Sequence, residues 1–230
     1  TILEIGAGTG NLTEFILKKK PKKIFVVEKD ENLANYLKET FKDQLTIIND
    51  DILKINESSL LKNKVTVFGN LPYNISTEIL SKWITNSSKD LWFNNLILMF
   101  QKEVADRIIE TTNKKNYGRL SILTSWRMNV KKLMDISPNS FYPIPKVKST
   151  VLLLEPKIDY FKLKNPKNLE HITNIFFNQR RKMVKKPLNI IFKNALDISK
   201  KYNINLNERP QNLDPKIYFK LCDEYENLVS

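Results

Sequence analysis

Along the first hundred residues, short runs of β-branched and aromatic side chains alternate with polar stretches in which apolar residues recur at helical spacing. ILEI (2–5), KIFVVE (23–28), LTII (45–48), VTVFG (65–69) and LILMF (96–100) have the length and character of strands. Between them, NLTEFILKKK, ENLANYLKETF and STEILSKWITN place apolar positions three and four apart, as on one face of a helix. Strand and helix in alternation predict a mostly parallel sheet with helices on both faces, because parallel neighbours need a crossover long enough to hold a helix. VKKLMDIS (130–137) and VKSTVLLLE (147–155) follow one another across the proline-marked PNSFYPIPK, and such close succession predicts antiparallel strands.

After Pro156 the pattern changes. HITNIFFNQRRKMVKKPLNIIFKNAL and DPKIYFKLCDEYENL read as helical, with the turn-rich NERPQNLDP between them. The expected organisation is an α/β domain over residues 1–158 and a small all-α lobe over 159–230. The first strand is already under way at Thr1, so an upstream segment is expected to be missing.

With 230 residues and 41% hydrophobic content, the chain can bury one sizeable core and a small second unit. No run approaches the roughly 18 apolar residues of a membrane span, and the first residues lack a signal-peptide layout. A single cysteine, Cys222, can form no internal disulfide and suits a reducing compartment. These features predict a cytoplasmic protein without a membrane partner, with Cys222 serving as a small hydrophobe. The net charge of +13 points to a polyanionic partner. Part of that surplus reflects composition, because 32 of the 38 basic residues are lysines in a chain also rich in Ile and Asn. The surplus is denser in residues 159–230, which hold 14 basic and 8 acidic residues. The basic run KKKPKK (18–23) is expected only to complement the C-terminus of the first helix.

Candidate chemistry lies at two strand ends. EIGAGTG sets Gly6, Gly8 and Gly10, three of the chain's five glycines, between the first strand and a helix. Glycine lets a ligand approach the backbone, and a helix N-terminus offers N–H groups to an anion. Two ligands fit. A dinucleotide site has G-x-G-x-x-G with an acidic residue about 20 positions on, whereas this loop is G-x-G-x-G with Asn11 at the last glycine position. S-adenosylmethionine is the other ligand, and a turn serving tight packing is a third reading. Glu28, at the end of the second strand, can accept from both ribose hydroxyls. Glu4, Asp50 and Asp51 add carboxylates at neighbouring strands, with Asp51 placed to read an adenine amino group.

The second site is VFGNLPYNIS (67–76). Asn70 follows the fourth strand at the carboxyl edge, where doubly wound sheets bind ligands. An Asn-x-Pro-Tyr turn there suits methylation of an exocyclic amine, whose lone pair is delocalised into its ring. If the Asn70 side-chain oxygen and the Leu71 carbonyl accept the two N6 hydrogens of adenine, the lone pair is freed and the charge developing on nitrogen is stabilised. Pro72, with its fixed φ, aims the carbonyl, and Tyr73 offers a face on which an extruded base stacks. The methylated amine sheds its proton to water, so no strong base is needed. That agrees with a chain whose one histidine, His171, is expected to be a surface or packing residue. No Cys/His cluster suggests a metal.

Taken together, these segments resemble the ribosomal RNA adenine dimethyltransferases of the small-subunit type. EIGAGTGNLT looks like the family's cofactor loop, VVEKD carries its ribose-binding Glu28, and INDDIL carries its adenine-binding Asp51 with Ile52 beside it. FGNLPYNIST resembles the catalytic motif, and MFQKEVADRI, YGRLS and FYPIPKVKSTV resemble later motifs in order. The resemblance implies a Rossmann-like class I methyltransferase domain and a helical lobe that grips RNA. It implies S-adenosylmethionine as cofactor, S-adenosylhomocysteine as product, and no metal. Asn70 would also touch the cofactor, and Phe141 would wall the base pocket opposite Tyr73. In FFNQRRKMVKK, Arg180, Arg181, Lys182 and Lys185 would meet phosphates, as would Lys146. The implied substrate is two adjacent adenines of the 3′-terminal hairpin of small-subunit ribosomal RNA, met by a monomer on a pre-ribosomal 30S particle. A large-subunit methylase of the resistance type and a non-catalytic assembly factor are the alternatives. The family's upstream Gly-Gln-Asn-Phe segment, which helps cover the cofactor, is absent here, and Ala7 replaces a common proline. An N-terminally extended chain is therefore expected to bind S-adenosylmethionine more tightly.

Overall fold

Five strands, β1 (Ile2–Ile5), β2 (Ile24–Glu28), β3 (Thr46–Asn49), β4 (Val65–Asn70) and β5 (Phe93–Gln101), lie parallel in the order β3-β2-β1-β4-β5. β6 (Met128–Ile136) forms the far edge of the seven-stranded sheet, and β7 (Ser149–Pro156) fills the place between β6 and β5. β7 is antiparallel to β5, with Leu98 opposite Leu152 and Gln101 opposite Ser149. The structure is a computed structural model that describes residues 1–86 and 90–229.

The helices are α1 (Asn11–Lys18), α2 (Glu31–Phe41), the single turn α3 (Glu57–Leu60), α4 (Ser76–Ile84), α5 (Lys102–Ile109), α6 (Arg119–Arg127), α7 (Lys167–Asn178), α8 (Lys185–Ile191), α9 (Ala195–Tyr202) and α10 (Pro215–Val229). The chain divides into two compact units. One comprises Thr1–Trp83, Lys89–Ala105 and Val130–Pro156, and the other Ile84–Ser88, Asp106–Asn129 and Lys157–Ser230.

In the first unit β1 and β2 are buried along almost their whole length and, Glu4 and Glu28 aside, read as unbroken apolar runs, whereas β4 alternates buried and part-buried positions. Leu3, Val26, Val67, Leu96 and Leu98 are all fully buried or nearly so. Ile16 of α1, Leu37 and Phe41 of α2, and Ile24 and Val26 of β2 form one cluster. Burying a side chain such as Leu37 contributes about 1.5–3 kcal/mol. α2 begins at Asp30, whose side chain accepts from the Asn32 and Leu33 N–H groups at 2.8 and 3.0 Å. α1 ends at Lys18, which pairs with Glu14 one turn back at 2.7 Å on the surface, so part of the KKKPKK run does terminate a helix.

Strand order places the functional end of the sheet. From β1 the chain moves outward to β2 and β3, then returns to β4 on the other side of β1. The carboxyl ends of β1 and β4, where the order reverses, lead directly into Gly6 and Leu71.

The second unit has its own core. Phe176 of α7 meets Tyr218 of α10 edge to face, with centroids 5.2 Å apart, and Ile172, Leu221 and Cys222 are fully buried. Cys222 is thus a core residue, and burial pushes its thiol pKa up. α6 packs on α7 and α10. The Tyr117 hydroxyl donates to the Leu213 carbonyl at 3.0 Å, and the Trp126 indole donates to the Phe161 carbonyl at 2.7 Å. The helical lobe expected over 159–230 is therefore joined in this unit by residues 106–129. The helical run expected over 171–196 is three helices. It breaks after Asn178 because the next turns pair elsewhere: the Val184 and Lys185 N–H groups donate to the carbonyls of Glu208 and Leu206. His171 is exposed beside Tyr225.

Candidate functional site

The glycine loop is built by left-handed backbone. Gly6, Gly8 and Gly10 have φ of +67°, +60° and +84°, a region that side chains rarely adopt. Gly10 also packs tightly. A Cβ there would lie 2.4 Å from the Phe41 ring and 3.1 Å from Leu37. Gly8 differs, since a Cβ there would meet nothing within 4 Å, so this stretch of backbone borders open space.

Glu28 holds the loop. Its Oε2 accepts the Gly8 N–H at 3.0 Å and its Oε1 accepts the Asp30 N–H at 3.1 Å, with the residue 7% exposed. A carboxylate has about four acceptor positions, so each oxygen retains capacity. Glu4 is placed differently from the strand-end carboxylates. It is buried within β1 and accepts the Thr13 hydroxyl at 2.7 Å, and burial raises its pKa against that hydrogen bond. Its role is to tie α1 to β1.

Beyond β3, Asp51 accepts from the Lys29 ammonium at 2.9 Å and from the Leu53 N–H at 3.0 Å, and the Lys29 bond first, then Leu53, holds its carboxyl below 3.8. Asp50 accepts the Asp51 N–H at 2.7 Å, while the Asn49 amide donates to the Glu28 carbonyl at 2.9 Å. Ile52 is buried. Lys82 of α4 supports this segment, donating to the carbonyls of Ile52 (2.8 Å) and Ile55 (2.6 Å) and to Glu57 Oε1 (3.0 Å). The same Glu57 oxygen accepts the Trp83 indole at 2.6 Å. Sequence reasoning missed Lys82 and Glu57. The available signal was a lysine inside the apolar run EILSKWI, where a buried charge needs a partner.

At the end of β4 the chain turns sharply. Leu71 is buried, and Gly69 makes room for it, since a Cβ there would lie 2.9 Å from both Leu71 and Leu98 side chains. The Pro72 carbonyl accepts from the N–H groups of Ile75 (3.1 Å) and Ser76 (3.0 Å), leading the turn into α4. Tyr73 Oη shares a 2.7 Å hydrogen bond with Ser149 Oγ, which is fully buried at the start of β7. The Asn70 side chain is exposed and has no hydrogen-bond partner among the described residues.

Asn70, Leu71, Pro72 and Tyr73 line one cavity of about 290 Å³ with Met99, Phe141, Tyr142, Pro143 and Pro145. Phe141, distant in sequence, thus lines the same cavity as Tyr73, and so does Tyr142, which the sequence reading did not single out. The glycine loop meets the same turn: a Cβ on Gly6 would sit 3.5 Å from the Asn70 carbonyl oxygen.

Within the second unit the basic segment divides. Arg180 is tied down, its guanidinium donating to the Gln211 amide oxygen at 3.2 Å and to the Lys115 carbonyl. Arg181, Lys182 and Lys185 are exposed and line a depression of about 690 Å³ with Lys186 and Arg209. Arg209 was not singled out in the sequence because it lies in the turn-rich stretch and reaches the segment through the pairings of Glu208 with Val184 and Leu206 with Lys185. Lys146 is exposed beside Pro145. The described residues contain no group of His, Cys, Asp and Glu arranged to hold a metal, and no helix long and apolar enough to cross a membrane.

A family description, ribosomal RNA adenine dimethylase, matches residues 1–227. The chain is 63% identical over 227 residues to a protein of Pelagibacter ubique named ribosomal RNA small subunit methyltransferase A, covering 99% of this chain and 87% of the relative. Its fold matches the crystal structure of a Plasmodium falciparum dimethyladenosine transferase with a TM-score of 0.81 at 28% identity, covering 98% and 90% of the two chains. The 23S rRNA methyltransferase ErmE shares the fold at a TM-score of 0.68 and 18% identity, covering 100% and 91%.

Proposed function

This chain belongs to the ribosomal RNA adenine dimethylase family, and from that premise we propose that it transfers methyl groups from S-adenosylmethionine to N6 of two adjacent adenines in the 3′-terminal hairpin of small-subunit ribosomal RNA. The product is N6,N6-dimethyladenine, and the reaction serves small-subunit biogenesis. Residues 1–158 form the catalytic domain in this reading, and 159–230 the lobe that grips RNA. The protein works in the cytoplasm, as a monomer on a pre-ribosomal 30S particle.

One observation carries the reading: an exposed Asn70 carboxamide, unpartnered among the described residues, opens onto a cavity that also contains Tyr73 and Phe141, beside the glycine loop. The open space at Gly8, the Glu28 carboxylate at the end of β2 and the Asp51 carboxylate just beyond β3 fit an adenosyl group. Glu28 would accept the ribose hydroxyls with its remaining lone pairs, Asp51 the adenine amino group, and Ile52 would pack against the ring. S-adenosylmethionine supplies an electrophilic methyl group on a sulfonium.

The protein's part is to prepare the amine. Asn70 Oδ1 and the Leu71 carbonyl accept the two N6 hydrogens, which frees the lone pair and stabilises charge as it develops on nitrogen. Leu71 aims its carbonyl well because its side chain is buried and Pro72 fixes the turn. Tyr73 and Phe141 take the extruded base between them. Arg181, Lys182 and Lys185 in the second unit, and separately Lys146 in the first, are the cations for phosphate contact, and Arg180 serves its own segment by holding it to Gln211 and the Lys115 carbonyl.

The test is methyl transfer from radiolabelled S-adenosylmethionine to small-subunit particles lacking the modification. Label in two adjacent adenines is expected. Label in large-subunit RNA instead would favour the resistance-type methylase, and particle binding without transfer would favour an assembly factor.

A further inference from the structure

Among the aromatic residues of the chain, Tyr142 stands apart. Its relative exposure is 100%, and neither its ring nor its hydroxyl has a hydrogen-bond, aromatic or cation partner among the described residues. Exposed aromatic side chains are not rare, but this one lines the cavity that holds Asn70, Tyr73 and Phe141. The preceding Phe141 is half-buried with extended backbone, φ −124° and ψ 150°, so successive side chains point to opposite sides of the chain there. One ring therefore belongs to the pocket wall and the next to its rim. From there the chain runs on through Ile144, 64% exposed, to Lys146 and Lys148, both exposed. An unpartnered aromatic face followed by lysines is the pattern that tracks single-stranded nucleic acid, with bases on the ring and phosphates on the cations.

From this geometry we propose that Tyr142 forms a second nucleobase subsite, on which the nucleotide adjacent to the extruded adenine stacks while its neighbour occupies the cavity. The proposal rests on the reading of the site as an adenine pocket and adds a specific contact to it. Extruding one base from a stacked strand leaves its neighbour with a bare face. In the proposed reading the cavity of about 290 Å³ holds the target base between Tyr73 and Phe141, and the neighbour finds its partner outside it. Tyr142 is a flat apolar surface at the cavity rim, already exposed in the free protein. The ring does the work in this proposal, so phenylalanine should replace tyrosine and alanine should not. The substrate class so selected is RNA with a nucleobase, rather than a gap, next to the target.

The experiment uses small-subunit particles reconstituted with synthetic 3′-terminal RNA carrying 2-aminopurine on the 5′ or the 3′ side of the target adenine. On binding the parent protein, the probe on one side should stay quenched by stacking. In Tyr142→Ala that probe should brighten and affinity should fall about tenfold, while Tyr142→Phe should behave as the parent. A parallel set with an abasic site at the same position should bind parent and Tyr142→Ala equally. Equal losses on intact and abasic RNA, or no change in quenching on either side, would overturn the subsite. Methyl transfer by the parent is measured on the same particles. Its absence would refute the adenine-methylation reading itself, and its presence with a silent Tyr142→Ala would refute only the subsite. Because the side chain is wholly exposed, an unchanged melting temperature is expected and separates the effect from misfolding.

Discussion

The two walls of the cavity at the end of β4 are built in opposite ways. On one side Leu71 is buried, the Pro72 carbonyl carries two hydrogen bonds, and Tyr73 is tethered to a buried Ser149. On the other side, Tyr142 and Pro143 are exposed, and Tyr142 has no partner among the described residues. A wall that aims acceptors at a reacting amine must hold them to within a fraction of an ångström. A wall that meets a large substrate needs available surface more than fixed geometry. The basic segment repeats the division: Arg180 is bound to backbone and Gln211, whereas Arg181, Lys182 and Lys185 are exposed. Tied residues shape the surface, and in the proposed reading the exposed ones meet the partner.

The strongest way to break the comparison is at its most ordered point. Asn70→Ala should lower the methyl-transfer rate about 10²–10³-fold, the scale for losing one preorganised group at a developing charge. The measurement is single-turnover transfer with radiolabelled cofactor, and a rate near that of the parent would discard the proposed amine clamp.

Next is the contrast between neighbouring arginines. Arg180→Ala should destabilise the protein by about 1–2 kcal/mol in thermal or denaturant unfolding, since it strips charge-assisted bonds from Gln211 and the Lys115 carbonyl. Arg181→Ala should leave stability within about 0.5 kcal/mol. Its effect should appear in RNA affinity, with a salt slope shallower by about 0.7 for one lost phosphate contact. Reversed outcomes would mean that the tied and exposed roles are misassigned.

A smaller effect tests the tether. Ser149→Ala and Tyr73→Phe should each lower transfer by about 2- to 10-fold, as expected for one neutral hydrogen bond. The double variant should be no worse than either single one, because both remove the same bond. Additive losses in steady-state kinetics would show that the hydroxyls act separately.

The smallest effect concerns charge at the cofactor edge. Lys29 holds the Asp51 carboxyl below its ordinary 3.8, so the carboxylate form is favoured in the folded chain. The resulting stability is present above pH 3.8 and is lost as pH falls through the lower folded value. In Lys29→Met, an NMR titration should find the Asp51 pKa moved up towards 3.8. An unmoved pKa would assign the shift to the Leu53 N–H and the Lys54 charge instead.

Much of this was legible in the chain itself. The five parallel strands, and the site positions at their carboxyl ends, follow from alternating apolar runs and helical spacing, which are local signals. Gly8 and Asn70 could be singled out because a glycine loop after a strand and an Asn-x-Pro-Tyr turn carry their chemistry in residue type and adjacency. The basic segment was legible as charge but not as geometry, since nothing in QRRK distinguishes Arg180 from Arg181. Helices α5 and α6 went unplaced because they carry weak boundaries and are settled by packing, as with Tyr117 and Trp126 reaching distant carbonyls.

By itself, then, the sequence determined the order of the seven strands, the mostly parallel sheet and the residues proposed for the site, because short-range periodicity and motif spacing act within a dozen residues. Only the tertiary structure decided which groups are free. It used Glu28 to hold the glycine loop, buried Glu4 against Thr13, recruited Lys82 and Glu57 beneath the Asp51 loop, and left Tyr142 bare. The reason is physical: a hydrogen bond or a buried face depends on which distant segment arrives beside it, and that is a property of the packed chain.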